Sequence, residues 1–191
     1  MTDIRVRPLT SADGAVVTEL FGPNGACGGC WCMHWQVPRG GKEWREAKGE
    51  PNRRGFLALV AAGGVRGMLA FAGDRPVGWC CFGPVESFPR LDATRSLRRD
   101  RPADTWAVVC FFIAAGWRRR GVAGSLLGAA VDEAFAAGAA EIEGWPAKPN
   151  AGPFAAAFAW TGVPSLFEKA GFAAIPREPG ARPIYLLRAG P

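Results

Sequence analysis

The stretch FFIAAGWRRRGVAGSLLGAA, Phe111 to Ala130, decides how this chain is read. An apolar run meets three consecutive arginines and two glycines, then passes into an alanine- and leucine-rich run. The first turn of a helix leaves its backbone N–H groups without partners and carries a partial positive charge. Small residues there let an anion approach the backbone, where larger side chains would hold it off. Gly121, Ala123 and Gly124 keep that approach open, and Arg118, Arg119 and Arg120 add positive field. The stretch therefore reads as a phosphate or pyrophosphate site. A Walker-type loop would need a lysine followed by serine or threonine after its last glycine, and none is present. A dinucleotide fingerprint would need more glycines and an earlier position.

Working outward, DTWAVVCFFIAA before the loop is nearly all apolar, as a central strand covered on both faces should be. After the loop, Val122, Leu126, Leu127, Ala130, Val131, Ala134 and Phe135 form one helical stripe with Asp132 and Glu133 opposite, and Gly138 is the stop. AAEIEGWP reads as a short strand, AKPNAGPFAAAFAWTG as an insertion, VPSLFEKAGF as a short helix and RPIYLLR as a closing strand. Upstream, DIRVRPL alternates as a first strand, and Thr10 or Ser11 would cap the helix that ends at Phe21-Gly22-Pro23. Asn52 to Ala62 predicts a short helix. RGMLAFAGDRPVGWCCFGPV predicts a hairpin around GDRP, and FPRLDATRSLRRDRP a polar connection with one helical turn. The order predicts a mixed α/β architecture, one sheet flanked by helices.

The 191 residues suit one well-buried core, and a single domain over residues 1–191 is expected. The net charge of +6 and pI near 9.3 permit a polyanionic partner or a phosphorylated substrate. No second basic stripe accompanies the arginine loop, so no nucleic-acid partner is expected; a basic nucleic-acid binder would show strongly salt-dependent affinity. No secretory h-region and no membrane-spanning run are legible. The six cysteines then read as reduced thiols in a cytoplasm, and Cys110 as a buried, inert one.

The loop resembles motif A of the GCN5-related N-acetyltransferase (GNAT) superfamily, Gln/Arg-x-x-Gly-x-Gly/Ala, with Arg118, Gly121 and Ala123 in the three specified places. PSLFEKAGF is similar to that superfamily's closing helix. The match covers about residues 105 to 172, while the N-terminal third matches in element order. CWCMHW, PVGWCCFGP, VVCFFI and PSLFEKAGF together look like a bacterial subgroup. The resemblance implies a GNAT-like, mostly antiparallel sheet, splayed beside the central strand. It also implies acetyl-CoA as acyl donor, its pyrophosphate on the amides of Arg118, Arg119, Arg120, Gly121, Val122, Ala123, Gly124 and Ser125. Phe112, Ile113 and Ala114 would hold the pantetheine arm and the acetyl carbonyl, with Ser165 and Phe167 nearby. An N-acetyltransferase acting on a primary amine of a small molecule or peptide, by direct transfer without metal or covalent intermediate, is implied. A homodimer is a habit of the superfamily.

Acetylating an amine requires a neutral nucleophile and a proton for the leaving thiolate. Many members of the superfamily use a tyrosine of the last helix as that acid, but Phe167 stands here and cannot donate. Water, Ser165 or the incoming substrate could serve instead. Phe167 also motivates the alternative, a non-catalytic acyl-CoA-binding sensor on the same fold. Glu141 and Glu143 project to one face of their strand, and Glu143 is the first candidate base. Glu86 is a second, and His34 a third.

CGGCWCMHW offers Cys27, Cys30, Cys32 and the only histidine, His34. A zinc site is one reading of that set and a redox pair another, though the spacing suits a compact finger poorly. Two further readings stay open: an aromatic wall of the acceptor pocket made by Trp31, Met33, His34 and Trp35 with Glu86, or aromatics that fill the core. Trp79, Trp106, Trp145 and Trp160 read as core.

Overall fold

The computed structural model describes residues 3–38, 42–147, 156–178 and 181–190. The order of its elements is β1 (Ile4–Pro8), α1 (Gly14–Phe21), α2 (Lys42–Glu46), α3 (Glu50–Ala61), β2 (Gly67–Ala72) and β3 (Arg75–Pro84). There follow α4 (Arg90–Ala93), β4 (Thr105–Ile113), α5 (Val122–Ala136), β5 (Glu141–Gly144), α6 (Pro164–Lys169), β6 (Ala173–Ala174) and β7 (Tyr185–Arg188). The expected elements are present, with α2 and β6 in addition. Most of the segment AKPNAGPFA lies outside the described residues.

The seven strands form one sheet in the order β1-β2-β3-β4-β5-β7-β6. All neighbours run antiparallel except β4 and β5, which α5 joins as a parallel crossover. β4 is the central strand, and its apolar run has both faces covered. One core, with Val17, Phe21, Phe56, Trp35 and Trp79, lies on the side of α1 and α3. The other, with Leu126, Leu127, Ala130 and Phe167, lies on the side of α5 and α6. Of the α5 stripe, Val122, Leu126, Leu127, Ala130 and Ala134 are buried, while Val131 and Phe135 are half-buried. Gly78 brings the start of α5 onto β3, because a Cβ there would lie 2.8 Å from Val122 and 2.9 Å from Leu126.

The expected cap of α1 is corrected. The N-cap is Asp13, not Thr10 or Ser11, and its side chain does not cap the helix. Its carboxylate turns back instead, accepting from Arg7 at 2.6 and 2.7 Å and from the Thr10 amide and hydroxyl at 2.7 Å. The Arg7 bonds lower the Asp13 pKa to about 2.

Candidate active site

β4 outruns its parallel neighbour. The β4–β5 ladder spans only Thr105 to Val108, opposite Glu141 to Gly144, and β4 then continues to Ile113. The strand also bulges. Cys81 faces Cys110 and Phe82 faces Val108, so Val109 is an extra residue on β4. The bulge carbonyl is held: the Trp35 indole N–H donates to Val109 O at 3.0 Å. A strand that has lost its neighbour opens a cleft where backbone groups face a ligand rather than another strand.

A groove of about 380 Å³ lies along that opening, lined by Phe111, Phe112, Ile113, Arg118, Arg119 and Ala123 on one side and Trp160, Gly162, Val163 and Leu166 on the other. Its far end meets α5. Gly121 is the N-cap, with φ of +84° and no side-chain cap. The amides of Val122, Ala123 and Gly124 therefore open the helix without intrahelical partners. Arg119 is also left-handed, at φ +59°. Arg118 Nε donates to Ile113 O at 3.2 Å, and Arg120 lies over the Trp117 ring at 5.1 Å. Open amides, a bare glycine and three exposed arginines make a place that could hold a pyrophosphate, with a thioester arm along β4.

Not every expected contact is available. The Ser125 amide already donates to Gly121 O at 3.1 Å, so it belongs to the helix. The Val122 side chain is buried under α5. Ser165 is exposed on α6 and lines no part of the groove. Phe167 is fully buried, wedged so tightly that a Cβ on Gly144 would sit 2.2 Å from its ring. It props the end of β5 from beneath and does not line the groove. Ala114 follows β4 directly, its amide bonded to Val77 O at 3.0 Å.

A second cavity, of about 260 Å³, shares Ala26, Cys27, Phe111, Phe112 and Trp160 with the groove. Its remaining wall is Phe21, Gly28, Cys30, Cys32, His34, Trp44, Lys48, Trp79 and Cys110. The segment CGGCWCMHW thus borders a pocket, but by its other side chains. Trp31 and Trp35 are core: 4% and 2% exposed, they pack on Phe21 and on Trp145. Met33 packs against Gly55. The backbone is left-handed at Trp31 and Cys32 (φ +47° and +55°), and the segment runs through turns. Glu86 is exposed and outside both cavities. Trp79, read as core, is fully buried and also backs the pocket, while Trp160, likewise read as core, lines it with Trp44 and Lys48. The Trp44 of KEWREAK, an indole in a polar run, was the available signal.

His34 lies at the centre of the pocket wall. Burial, with the fields of Arg90 and Arg182, lowers its pKa to about 4, so it is neutral at pH 7. Trp79 Nε1 donates to Cys32 Sγ at 3.3 Å, and the thiols of Cys110 and Cys81 also bond to Cys32. Those bonds favour its anion and hold Cys81 and Cys110 protonated; burial pushes Cys30 up to about 11. Among the described residues, no group of three or more His, Cys, Asp or Glu is arranged to hold a metal ion.

Glu143 is elsewhere. Fully buried, it accepts from Arg99 Nε at 2.6 Å and from Arg101 Nε at 2.8 Å. Glu141 accepts from Arg99 and, at 3.1 Å, from Thr105. Buried, with both oxygens held by guanidinium groups, Glu143 lines neither cavity. The expectation of a base at Glu143 is replaced by a buried ion-pair cluster that ties the Arg99–Arg101 connection to β5.

A sequence profile of the Acetyltransferase (GNAT) family matches residues 32–158, reaching further toward the N-terminus than the motifs alone and stopping before α6. Among solved structures, the PaiA N-acetyltransferase of Thermoplasma acidophilum in complex with coenzyme A is similar at a TM-score of 0.57 and 14% identity, over 98% of this chain and 99% of that one. YncA of Salmonella typhimurium with its cofactor acetyl-CoA matches at 0.53 and 15%, over 97% and 93%. The ribosomal-protein-alanine N-acetyltransferase of Brucella melitensis matches at 0.54 and 15%, over 97% and 99%. At such identities the likeness is one of fold. Among curated proteins none matches by sequence. No helix of the described residues is long and apolar enough to cross a membrane. With well over half its length inside that family's sequence pattern, the chain belongs to the GNAT acetyltransferase family.

Proposed function

We propose that this chain is an N-acetyltransferase that moves an acetyl group from acetyl-CoA directly to a primary amine. The observation that carries the reading is the meeting of the two cavities at Phe112: a groove with helix amides at one end opens into an aromatic pocket at the other. The α5 amides and Arg118 and Arg119 would hold the pyrophosphate. Backbone N–H groups near Phe112 and Ile113, on the unpaired side of β4, would polarise the thioester carbonyl. One such donor is worth roughly 3 kcal/mol in comparable sites.

In this reading the amine nitrogen attacks the acetyl carbon from the pocket side. The nitrogen–carbon bond forms, the carbon–sulfur bond breaks, the amine proton passes to His34 or water, and the thiolate takes a proton from water. Phe167 supplies none. The free state of all six cysteines fits a reducing, cytoplasmic setting. A second reading, an acyl-CoA sensor without turnover, is favoured by Phe167, a buried ring where a proton donor would otherwise stand.

The experiment is acetyl-CoA binding by calorimetry together with thiol release during turnover on an amine panel, in the native chain and in Gly121→Val. The variant should bind acetyl-CoA roughly 5- to 30-fold more weakly, since a β-branched residue at a left-handed φ shifts the loop at a cost of about 1–2 kcal/mol. Binding without steady turnover would favour the sensor, and absence of binding would end both readings.

A further inference from the structure

The pocket beyond Phe112 has a one-sided charge pattern. Its aromatic wall is dense: the His34 ring meets the edges of Trp35, Trp44 and Trp160 with centroids 4.9, 5.1 and 4.9 Å apart. Lys48 is the charged residue of its described lining, and Arg90 and Arg182 stand behind His34. Lys48 Nζ sits 4.5 Å over the Trp44 ring. Arg90 donates to His34 O at 3.5 Å. Arg182 donates to Trp145 O at 2.9 Å and to Thr161 Oγ1 at 3.0 Å, both neutral oxygens. Among the described residues no carboxylate lines the pocket. Residues 39–41 and 148–155 contain no Asp or Glu either.

Two consequences follow for an acceptor. An alkyl ammonium of pKa near 10.4 is neutral in only about one molecule in 2,500 at pH 7. Three cations and no carboxylate make its charged form unwelcome here. An aromatic amine, its lone pair delocalised into the ring, is already neutral and enters without that penalty. Conversely, half-buried guanidinium groups that among the described residues donate to neutral oxygens leave positive field that an anionic substituent would compensate. A cavity of about 260 Å³ has room for one substituted ring.

Resting on the transferase reading above, we infer that the acceptor is an aromatic primary amine bearing an anionic group. Its ring lies among Trp44, Trp79 and Trp160, and its negative charge lies toward Lys48 and the arginines behind His34. A weakly basic His34 suits this acceptor, since the ammonium formed on attack by an aromatic amine is acidic enough to give up its proton.

The test crosses the two properties. Aniline, 4-aminobenzoate, benzylamine and 4-(aminomethyl)benzoate are offered with acetyl-CoA to the full chain, and the amide products are quantified. The value of kcat/KM for 4-aminobenzoate should exceed that for benzylamine at least tenfold and that for aniline severalfold. The margin over aniline should shrink in Lys48→Gln, an exposed position whose change spares the fold, and at high salt. Quenching of tryptophan fluorescence by 4-acetamidobenzoate, with saturation, gives a readout besides turnover. Benzylamine used as well as or better than 4-aminobenzoate overturns the inference and leaves the transferase reading intact. So does acetylation of other amines with none of the four accepted. Acetyl-CoA bound with no amine acetylated overturns the transferase reading itself, and this inference with it.

Discussion

Replacing Glu143 with glutamine separates a catalytic carboxylate from a structural one. The carboxylate is fully buried and is held by Arg99 and Arg101, whose side chains are 15% and 14% exposed. Glutamine keeps one acceptor oxygen but turns an NH2 group toward a guanidinium donor. Breaking a buried pair by removing one partner costs roughly 3–5 kcal/mol, because the other charge stays buried. The lower end, about 3 kcal/mol, applies here because Glu141 remains on Arg99. At roughly 2–4 °C per kcal/mol for a domain of this size, the melting temperature should fall by about 6–12 °C. Thermal unfolding followed by circular dichroism reads the loss. Turnover at 20 °C, where the variant is still folded, should stay within about twofold of the native chain, whereas loss of a general base removes roughly 100-fold or more. An unchanged melting temperature with turnover reduced a hundredfold would rule out the structural role and restore Glu143 as the base.

Other outcomes follow from the same geometry. If His34 takes the proton, kcat/KM on an acceptor that stays neutral across the range should hold as pH falls through 6.5 and decline only near 4, where the ring becomes charged; a decline centred at 6.5 would contradict its surroundings. Between pH 6.5 and 4 the unfolded chain binds that proton and the folded chain does not, so stability should also fall with pH in this window, as chemical denaturation at several pH values will show. Cys27, exposed and on the wall common to both cavities, should be the first thiol alkylated, and acetyl-CoA should slow its labelling as read by peptide mass. Labelling indifferent to acetyl-CoA would argue against the groove as the donor's route. Gly144→Ala should destabilise the fold by about 1–3 kcal/mol or more in thermal melts, since the added carbon must displace the fully buried Phe167. A neutral result would mean that α6 can shift freely beneath β5.

The frame around the arginine loop was legible in the order of residues alone. β4 announced itself through nine residues with scarcely a polar group, and α5 through its 3.6-residue period, because both patterns are local consequences of which faces are buried. The bare Gly121 at the helix entry was legible for the same reason. Who meets whom across the sheet follows from the fold instead. No spacing in the chain says that Arg99 and Arg101 close on Glu143 from more than forty residues away, which turned the expected base into a buried counter-ion. Nor could the residue types of CGGCWCMHW say which side meets a cavity: the indoles of Trp31 and Trp35 pack inward, while Cys30, Cys32 and His34 face the pocket. Periodicity is set by neighbours along the backbone, whereas a carboxylate's partner and a pocket's wall are set by contacts between segments far apart in the chain, and these exist only once the chain has folded.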